Sequence, residues 1–244
     1  MTRPKLRKVL LTAAGPSMWQ LLSTYTLPTF QKFAAIHGYE LVVVHIDVDG
    51  PGMLREARMF KTSFIRQQLN LGADLVFWID ADALFLRFDT DPADLLEAEH
   101  FQGLVLEHVP LRHRTNPNTG VWLIRNTPEA IEFLDHIKLI GLRSGETWAD
   151  QAAVMRGLGW NMGGQDYVGA QAGPDTPVML RTAWLPSTFN TLINDGRPKL
   201  WYREGMPTEK NPHIWHLAGL TPDERLRVFE NEYSQSVKPQ ITHK

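Results

Sequence analysis

Two aspartates one residue apart, Asp80 and Asp82, follow directly on five apolar residues, Leu75-Val76-Phe77-Trp78-Ile79. A run of that kind makes a strand covered on both faces, and acids at its end require a counter-charge. Desolvation disfavours the first carboxylate there, and like-charge repulsion disfavours the second. A hard divalent cation, Mn²⁺ or Mg²⁺, answers both: it prefers carboxylate oxygens and keeps open positions for the phosphate oxygens of a substrate. The other use of the pair is to cap the turn after the strand, where Asp is common.

Residues elsewhere in the chain fit the same chemistry. Thr12-Ala13-Ala14-Gly15 ends a first strand with side chains small enough to let a ligand approach the backbone. Arg55, Arg58 and Lys61 share one face of a helical stretch that leads into the acidic strand. A solvated stripe is the default for such charges, and a reach toward a bound phosphate is the alternative. Asp150 and Gln151 stand near a helix start, where an acid is often only a dipole partner. His216, in the short apolar piece Ile214-Trp215-His216-Leu217-Ala218-Gly219, fits a packed core histidine as well as a ligand.

The elements that must position these residues follow from apolar spacing. Strands are expected over 8–14, 39–47 (the latter buried), 75–79, 102–109 and 118–126, with one or two more in 178–193. Helices are expected over 17–38 with a kink at Pro28, over 54–71, from Asn126-Thr127-Pro128-Glu129 to about 142, over 146–158, and from Thr221-Pro222 to about 233. Asp91-Pro92 starts a short one, and 108–117 reads as a polar basic loop. Strand and helix alternate through the first 130 residues, which argues for a mainly parallel sheet covered by helices. Ligands of such sheets sit at the carboxyl ends of the strands, where Thr12, Asp80 and Asp82 fall.

No break in composition divides the 244 residues, so residues 1–244 are expected to form a single domain. A net charge of −2 gives no sign of a general binder of nucleic acid or membrane surface. Zero cysteines remove disulfides, thiolate zinc sites and a cysteine nucleophile, and suit a cytoplasmic protein. Val9-Leu10-Leu11 is too short for a signal-peptide core, and no run approaches the roughly 20 apolar residues of a membrane span. The expected location is the cytoplasm.

Four pieces in order resemble GT-A-fold glycosyltransferases, most of all the retaining α-galactosyl, α-xylosyl and α-mannosyl transferases of fungi and plants. They are Trp78-Ile79-Asp80-Ala81-Asp82-Ala83, Asn118-Thr119-Gly120-Val121-Trp122-Leu123-Ile124-Arg125-Asn126, Trp148-Ala149-Asp150-Gln151 and His216-Leu217-Ala218-Gly219; Pro186-Ser187-Thr188-Phe189-Asn190 is a weaker fifth. The resemblance implies an α/β fold with one Rossmann-like mixed sheet flanked by helices. It implies Asp80, Asp82 and His216 as a metal group holding Mn²⁺ or Mg²⁺ against the diphosphate of a nucleotide sugar, a UDP-sugar foremost, with Thr12, Ala81 and Gly219 along the nucleotide. Lys61 matches a family lysine by position and, with Arg58, would assist at the diphosphate. Asn118 and Gly120 resemble contacts to the donor sugar. Asp150 and Gln151 resemble the acid and amide near the anomeric centre, where Asp150 is either nucleophile or electrostatic partner. The implied acceptor is a glycan, a lipid-linked sugar or a protein side chain. Those relatives carry a membrane anchor and stem that this sequence lacks, which favours an acceptor met in the cytosol.

Two other readings use the same residues. Phosphatases of the haloacid-dehalogenase type also place D-x-D after an apolar strand, but near the chain start and before Thr or Val, whereas Ala83 follows here. A nucleotide-sugar binder without chemistry would need the acids and no carboxylate at Asp150.

Overall fold

The computed structural model describes residues 6–47, 59–109, 114–143, 149–161, 173, 175–192 and 211–230. Its centre is a six-stranded sheet. In chain order the strands are β1 (Lys8–Ala14), β2 (Tyr39–His45), β3 (Leu75–Ile79), β5 (Gln102–Val109), β6 (Arg114–Arg125) and β7 (Thr182–Leu185). Their spatial order is β2-β1-β3-β6-β5-β7. β1 runs parallel to β2 and β3, β5 parallel to β7, and β6 antiparallel to both of its neighbours, which makes the sheet mixed.

Alternation along the strands divides the core in two. From β3, Val76 and Trp78 join one cluster while Leu75, Phe77 and Ile79 join the other, so the unbroken apolar run is a strand buried on both sides. α3 (Phe60–Asn70), α4 (Pro128–Arg143) and α5 (Ala149–Gly157) cover the first face with Ile65, Leu69, Phe133, Leu134, Ile137, Val154 and Met155. α2 (Leu27–His37) covers the second with Phe30 and Phe33. β2 is only half-buried, against the expectation of a buried strand, because among the described residues it forms the sheet's edge with β1 as its one neighbour.

Three local differences from the sequence reading have physical causes. The expected kinked helix over 17–38 is α1 (Pro16–Leu21), a π-helical turn (Leu22–Thr26) and α2 in succession. Pro28, which has no N–H to donate, sits in the first turn of α2 rather than at a kink, and the wider turn before it takes up the change. Ser17 lies inside the first turn of α1, whose cap position is taken by Gly15. Residues 114–117, expected as loop, belong to β6, which pairs Arg114 with Val109 and Pro117 with Leu106 beside a register shift at Leu104/Val105. Of the stretch 54–71, residues 54–58 with Arg55 and Arg58 lie outside the described residues, as do residues 146–148 of the expected helix 146–158.

A second, three-stranded sheet takes in residues 191–192, within the stretch 178–193 where one or two strands are expected, and adds two short strands that the sequence reading did not include. β4 (Ala83–Phe85) leaves the acid pair and pairs antiparallel with β9 (Ile214–His216), which pairs parallel with β8 (Thr191–Leu192). α7 (Pro222–Val228) follows, opened by a full capping box between Thr221 and Glu224. Among the described residues no helix is long and apolar enough to cross a membrane.

One aromatic cluster grips the acid turn from both flanks. Phe33 stacks on Phe85 of β4 at 4.1 Å and meets Phe77 of β3 edge-on at 5.8 Å. Phe33 is fully buried, so Phe33→Ala is expected to lower stability by about 3–5 kcal/mol, read from urea unfolding, whereas an unchanged midpoint would mean the cluster holds nothing.

Candidate active site and metal centre

The acids lie where β3 ends. The Asp80 amide donates to the Gly120 carbonyl at 2.8 Å, continuing the β3–β6 ladder by one residue. Because β6 runs against the other strands, its early residues, Asn118 to Gly120, come to the carboxyl edge of the sheet rather than to the far side. Asp82 leads directly into β4, and the pairing of Ala83 with His216 delivers the imidazole across more than a hundred residues of chain. The Leu217 amide closes the pairing on the Asp82 carbonyl at 3.1 Å.

The result is one tight group. Nε2 of His216 lies 3.4 Å from Oδ1 of Asp82 and 3.7 Å from Oδ2 of Asp80. One donor atom from each residue can be chosen so that all lie within 4.8 Å of one another. Two ligands across an ion of Mg²⁺ size stand about 4.2 Å apart, so a small contraction would close the set around such a cation. Two carboxylates and an imidazole suit Mn²⁺ in kind, which makes these residues a fitting partial shell for it.

Around this group the counter-charges are protein cations. Arg225 on α7 donates to Oδ2 of Asp82 at 2.9 Å and is itself seated on the Leu217 carbonyl at 3.1 Å. Burial works to raise the pKa of Asp82, but Arg225 and His216 prevail and hold it well below the usual carboxylate range. Burial likewise works to lower the imidazole of His216, and the facing Asp82 and Asp80 carry it above its ordinary value. Arg225 carries no motif; its role depends on where α7 docks, which local sequence does not announce.

Lys61 stands between the acid pair and Asp150. Its Nζ lies 3.0 Å from Oδ1 of Asp80 and 2.9 Å from Oδ2 of Asp150, and it donates to the Thr119 carbonyl and hydroxyl at 3.1 Å each. Burial depresses the ammonium, but Asp150 and Asp80 more than offset this and keep it above its ordinary value. Asp150 is held below its own ordinary value because Lys61 outweighs its burial. Both acids are thus bridged by a charged lysine whose three donors are already engaged. Trp78 adds an indole N–H to Oδ1 of Asp80 at 2.6 Å.

The remaining site residues of the sequence reading fall as follows. Thr12 is fully buried near the end of β1, with a hydroxyl that has no hydrogen-bond partner among the described residues. The Ala81 carbonyl accepts from the Thr26 hydroxyl at 2.9 Å. Gly219, at φ 79°, forms the turn after His216. Asn118 is buried with its amide committed to protein partners, and Gln151 donates to Glu107 at 3.3 Å. Gly120 faces the imidazole: a Cβ there would stand 2.1 Å from Cε1 of His216. Glu107 is a buried acid at the end of β5 that the sequence reading passed over, although the strand-end argument used for Asp80 covers it. Of the aromatics that offer a ring for stacking on a sugar, Trp184 is partly exposed on β7 and Trp215 lies on β9, while Trp201 and Tyr202 lie outside the described residues.

No family model matches the sequence, and no curated protein matches it. Solved structures do match. A glycosyltransferase involved in the glycosylation of the major capsid of PBCV-1 superposes with a TM-score of 0.64, covering 92% of this chain and 98% of its own at 15% identity. The chain has the GT-A glycosyltransferase fold. The bifunctional glycosyltransferase WbbM, in its apo structure, superposes with a TM-score of 0.58 at 12% identity, over 94% of this chain, which spans about half (51%) of WbbM. At these identities the likeness speaks for the arrangement of helices and strands, and the chemistry must be argued from the side chains.

Gly120→Ala tests the centre directly. The added methyl would collide with the His216 ring, so the variant is expected to lose Mn²⁺ binding in a calorimetric titration and about 1–3 kcal/mol of stability. A variant that binds Mn²⁺ like the unaltered protein would show that the ring is not needed.

Proposed function

We propose that this chain is a metal-dependent glycosyltransferase that moves a hexosyl or pentosyl unit from a nucleotide-diphosphate sugar, a UDP-sugar foremost, to a hydroxyl of a glycan, lipid-linked or protein acceptor, with retention at the anomeric carbon. The observation that carries this reading is the convergence of Asp80, Asp82 and His216 at the carboxyl edge of a GT-A sheet, with Asp150 joined to them through a single lysine. A phosphate site needs the first three; the fourth is the group that sugar chemistry adds. The shared fold gives the phosphatase reading no support. A cytoplasmic location fits such a donor.

The roles follow from the bond that breaks. Cleavage between the anomeric carbon and the diphosphate leaves negative charge on the leaving group and oxocarbenium-like charge on the sugar. A bound divalent cation would supply Lewis-acid stabilisation of the departing diphosphate. Asp80, Asp82 and His216 would hold that cation, with Arg225 orienting Asp82 from behind. The carboxylate of Asp150, kept ionised by Lys61, is available to stabilise the sugar's developing positive charge. Gln151 beside it would orient a sugar hydroxyl, and Ala81 and Gly219 would line the nucleotide, whereas Thr12 is too deeply buried to touch it. An acceptor hydroxyl entering on the leaving-group side would preserve configuration.

In a thermal-shift screen, UDP and UDP-sugars are expected to raise the melting temperature only with Mn²⁺ present, and Asp82→Asn to abolish the rise. Equal shifts without metal would sink the metal-dependent reading. Asp150→Asn is expected to lower kcat for transfer or donor hydrolysis by about 100- to 1,000-fold while the metal-dependent shift persists. Nucleotide binding with no turnover of any donor would make the chain a binder.

A further inference from the structure

A line of buried hydrogen bonds leads away from the metal group to Glu107, and its direction can be worked out without placing a hydrogen. The Gly120 backbone N–H can only donate, and it meets Oδ1 of Asn118 at 2.8 Å. That fixes which way the Asn118 amide points. Its Nδ2 therefore faces Oε2 of Glu107 at 2.6 Å, where a carboxylate accepts. The second lone pair of Asn118 Oδ1 takes the Nδ2 of Asn190 at 2.8 Å. Asn190 is then fixed in turn, with its Oδ1 toward Nδ1 of His216 at 2.7 Å. An oxygen at that distance requires Nδ1 to carry a proton.

We propose that Glu107, Asn118 and Asn190 form a positioning relay that sets His216 in its Nδ1–H form and so leaves the Nε2 lone pair directed at Asp80 and Asp82. This rests on the metal reading of the preceding subsection and adds three residues that act on the group through His216. All three are buried, Glu107 at 8%, Asn118 at 3% and Asn190 at 3% exposure, so water cannot replace the bonds. Turning the relay round would keep a bond between the two amides but would bring the Gly120 N–H against the Asn118 amide nitrogen and set that amide's oxygen against the Glu107 carboxylate. A metal-binding histidine is commonly held this way, with its far ring nitrogen donating to a protein acceptor. Here the acceptor is a neutral amide whose orientation is inherited from a backbone N–H and a buried acid. Glu107 also accepts from Gln151 on its other oxygen at 3.3 Å, so one carboxylate anchors both the imidazole and the amide beside Asp150.

Two measurements test the relay. In metal-free protein with ¹⁵N-labelled histidine, held above the ring's titration, long-range ¹H–¹⁵N spectra report the tautomer; His216, identified by the signals lost in His216→Gln, is expected as Nδ1–H. Mn²⁺ binding is read from the loss of the free-ion EPR signal. Asn190→Leu and Glu107→Leu are each expected to weaken it by about 10- to 100-fold, whereas Glu107→Gln, which still offers Asn118 an oxygen, is expected to stay within about threefold of the unaltered protein. An Nε2–H ring in the unaltered protein, or wild-type Mn²⁺ affinity in both leucine variants, would overturn the relay. Failure of the unaltered protein to bind Mn²⁺ would instead overturn the metal reading, and the tautomer spectrum would still decide the relay. Should the leucine variants not fold, the spectrum of the unaltered protein decides it alone.

Discussion

Two carboxylates share the end of a strand that is buried on both faces, and much of the chain's arrangement at that edge serves to make this tolerable. At a separation within 4.8 Å their repulsion is about 3 kcal/mol or more at an effective dielectric near 20. Partial burial adds a desolvation cost on top. Against this stand Arg225 and His216 on Asp82, and Lys61 and the Trp78 indole on Asp80. A hydrogen bond to a charged group contributes about 1.5–3 kcal/mol, so several together outweigh the repulsion. A divalent cation between the acids and the imidazole would act on the same imbalance more strongly, since its charge is double and central.

The reversed direction of β6 gives this edge its second function. In an all-parallel sheet the strand next to β3 would present its last residues here. Instead β6 presents Asn118, Thr119 and Gly120, three residues with small or amide side chains in the place where the acid loop turns. Thr119 meets Lys61, Gly120 makes room for His216, and Asn118 carries the bonds that reach Glu107. The same reversal places Asp150, on the helix packed over β6, within reach of Lys61. The group Asp80, Asp82 and His216 and the carboxylate of Asp150 are therefore neighbours because of one antiparallel strand.

What the sequence disclosed and what it withheld divide by range of interaction. The apolar run of β3, the two-sided core and the α4 helix are local patterns, and they were legible as such. Asp80 and Asp82 were legible because a charge at the end of a buried strand is anomalous by itself. The small sheet was not: β4, β8 and β9 are three, two and three residues long, too short for any alternation to show. His216 was singled out only through a resemblance of motifs, since on its own residue type it fits a core position. Arg225 left no trace because nothing within an amphipathic helix tells which of its cations will face an acid 143 positions earlier. Gly120 shows the limit of motif reading, for its missing side chain is accounted for by the imidazole packed against it.

The distance in sequence between the acids and their partners also ties the site's assembly to the completion of the fold. Asp80 and Asp82 stand on the central sheet, whereas His216 and Arg225 arrive with a segment that docks through the three-residue pairing of β4 and β9 and the capped start of α7. Such a short ladder is weak alone, and closing a loop of this length carries an entropic cost before any contact forms. The acids supply part of the attraction that offsets it, because only the docked segment brings Arg225 and His216 to Asp82. Docking and neutralisation are then one equilibrium seen from two sides. A cation held jointly by Asp80, Asp82 and His216 would bind the docked form and have little affinity for the undocked one, so by linkage it would tighten the C-terminal segment against the sheet as it binds. In this chain the candidate metal group of Asp80, Asp82 and His216 is also a joint between two parts of the fold.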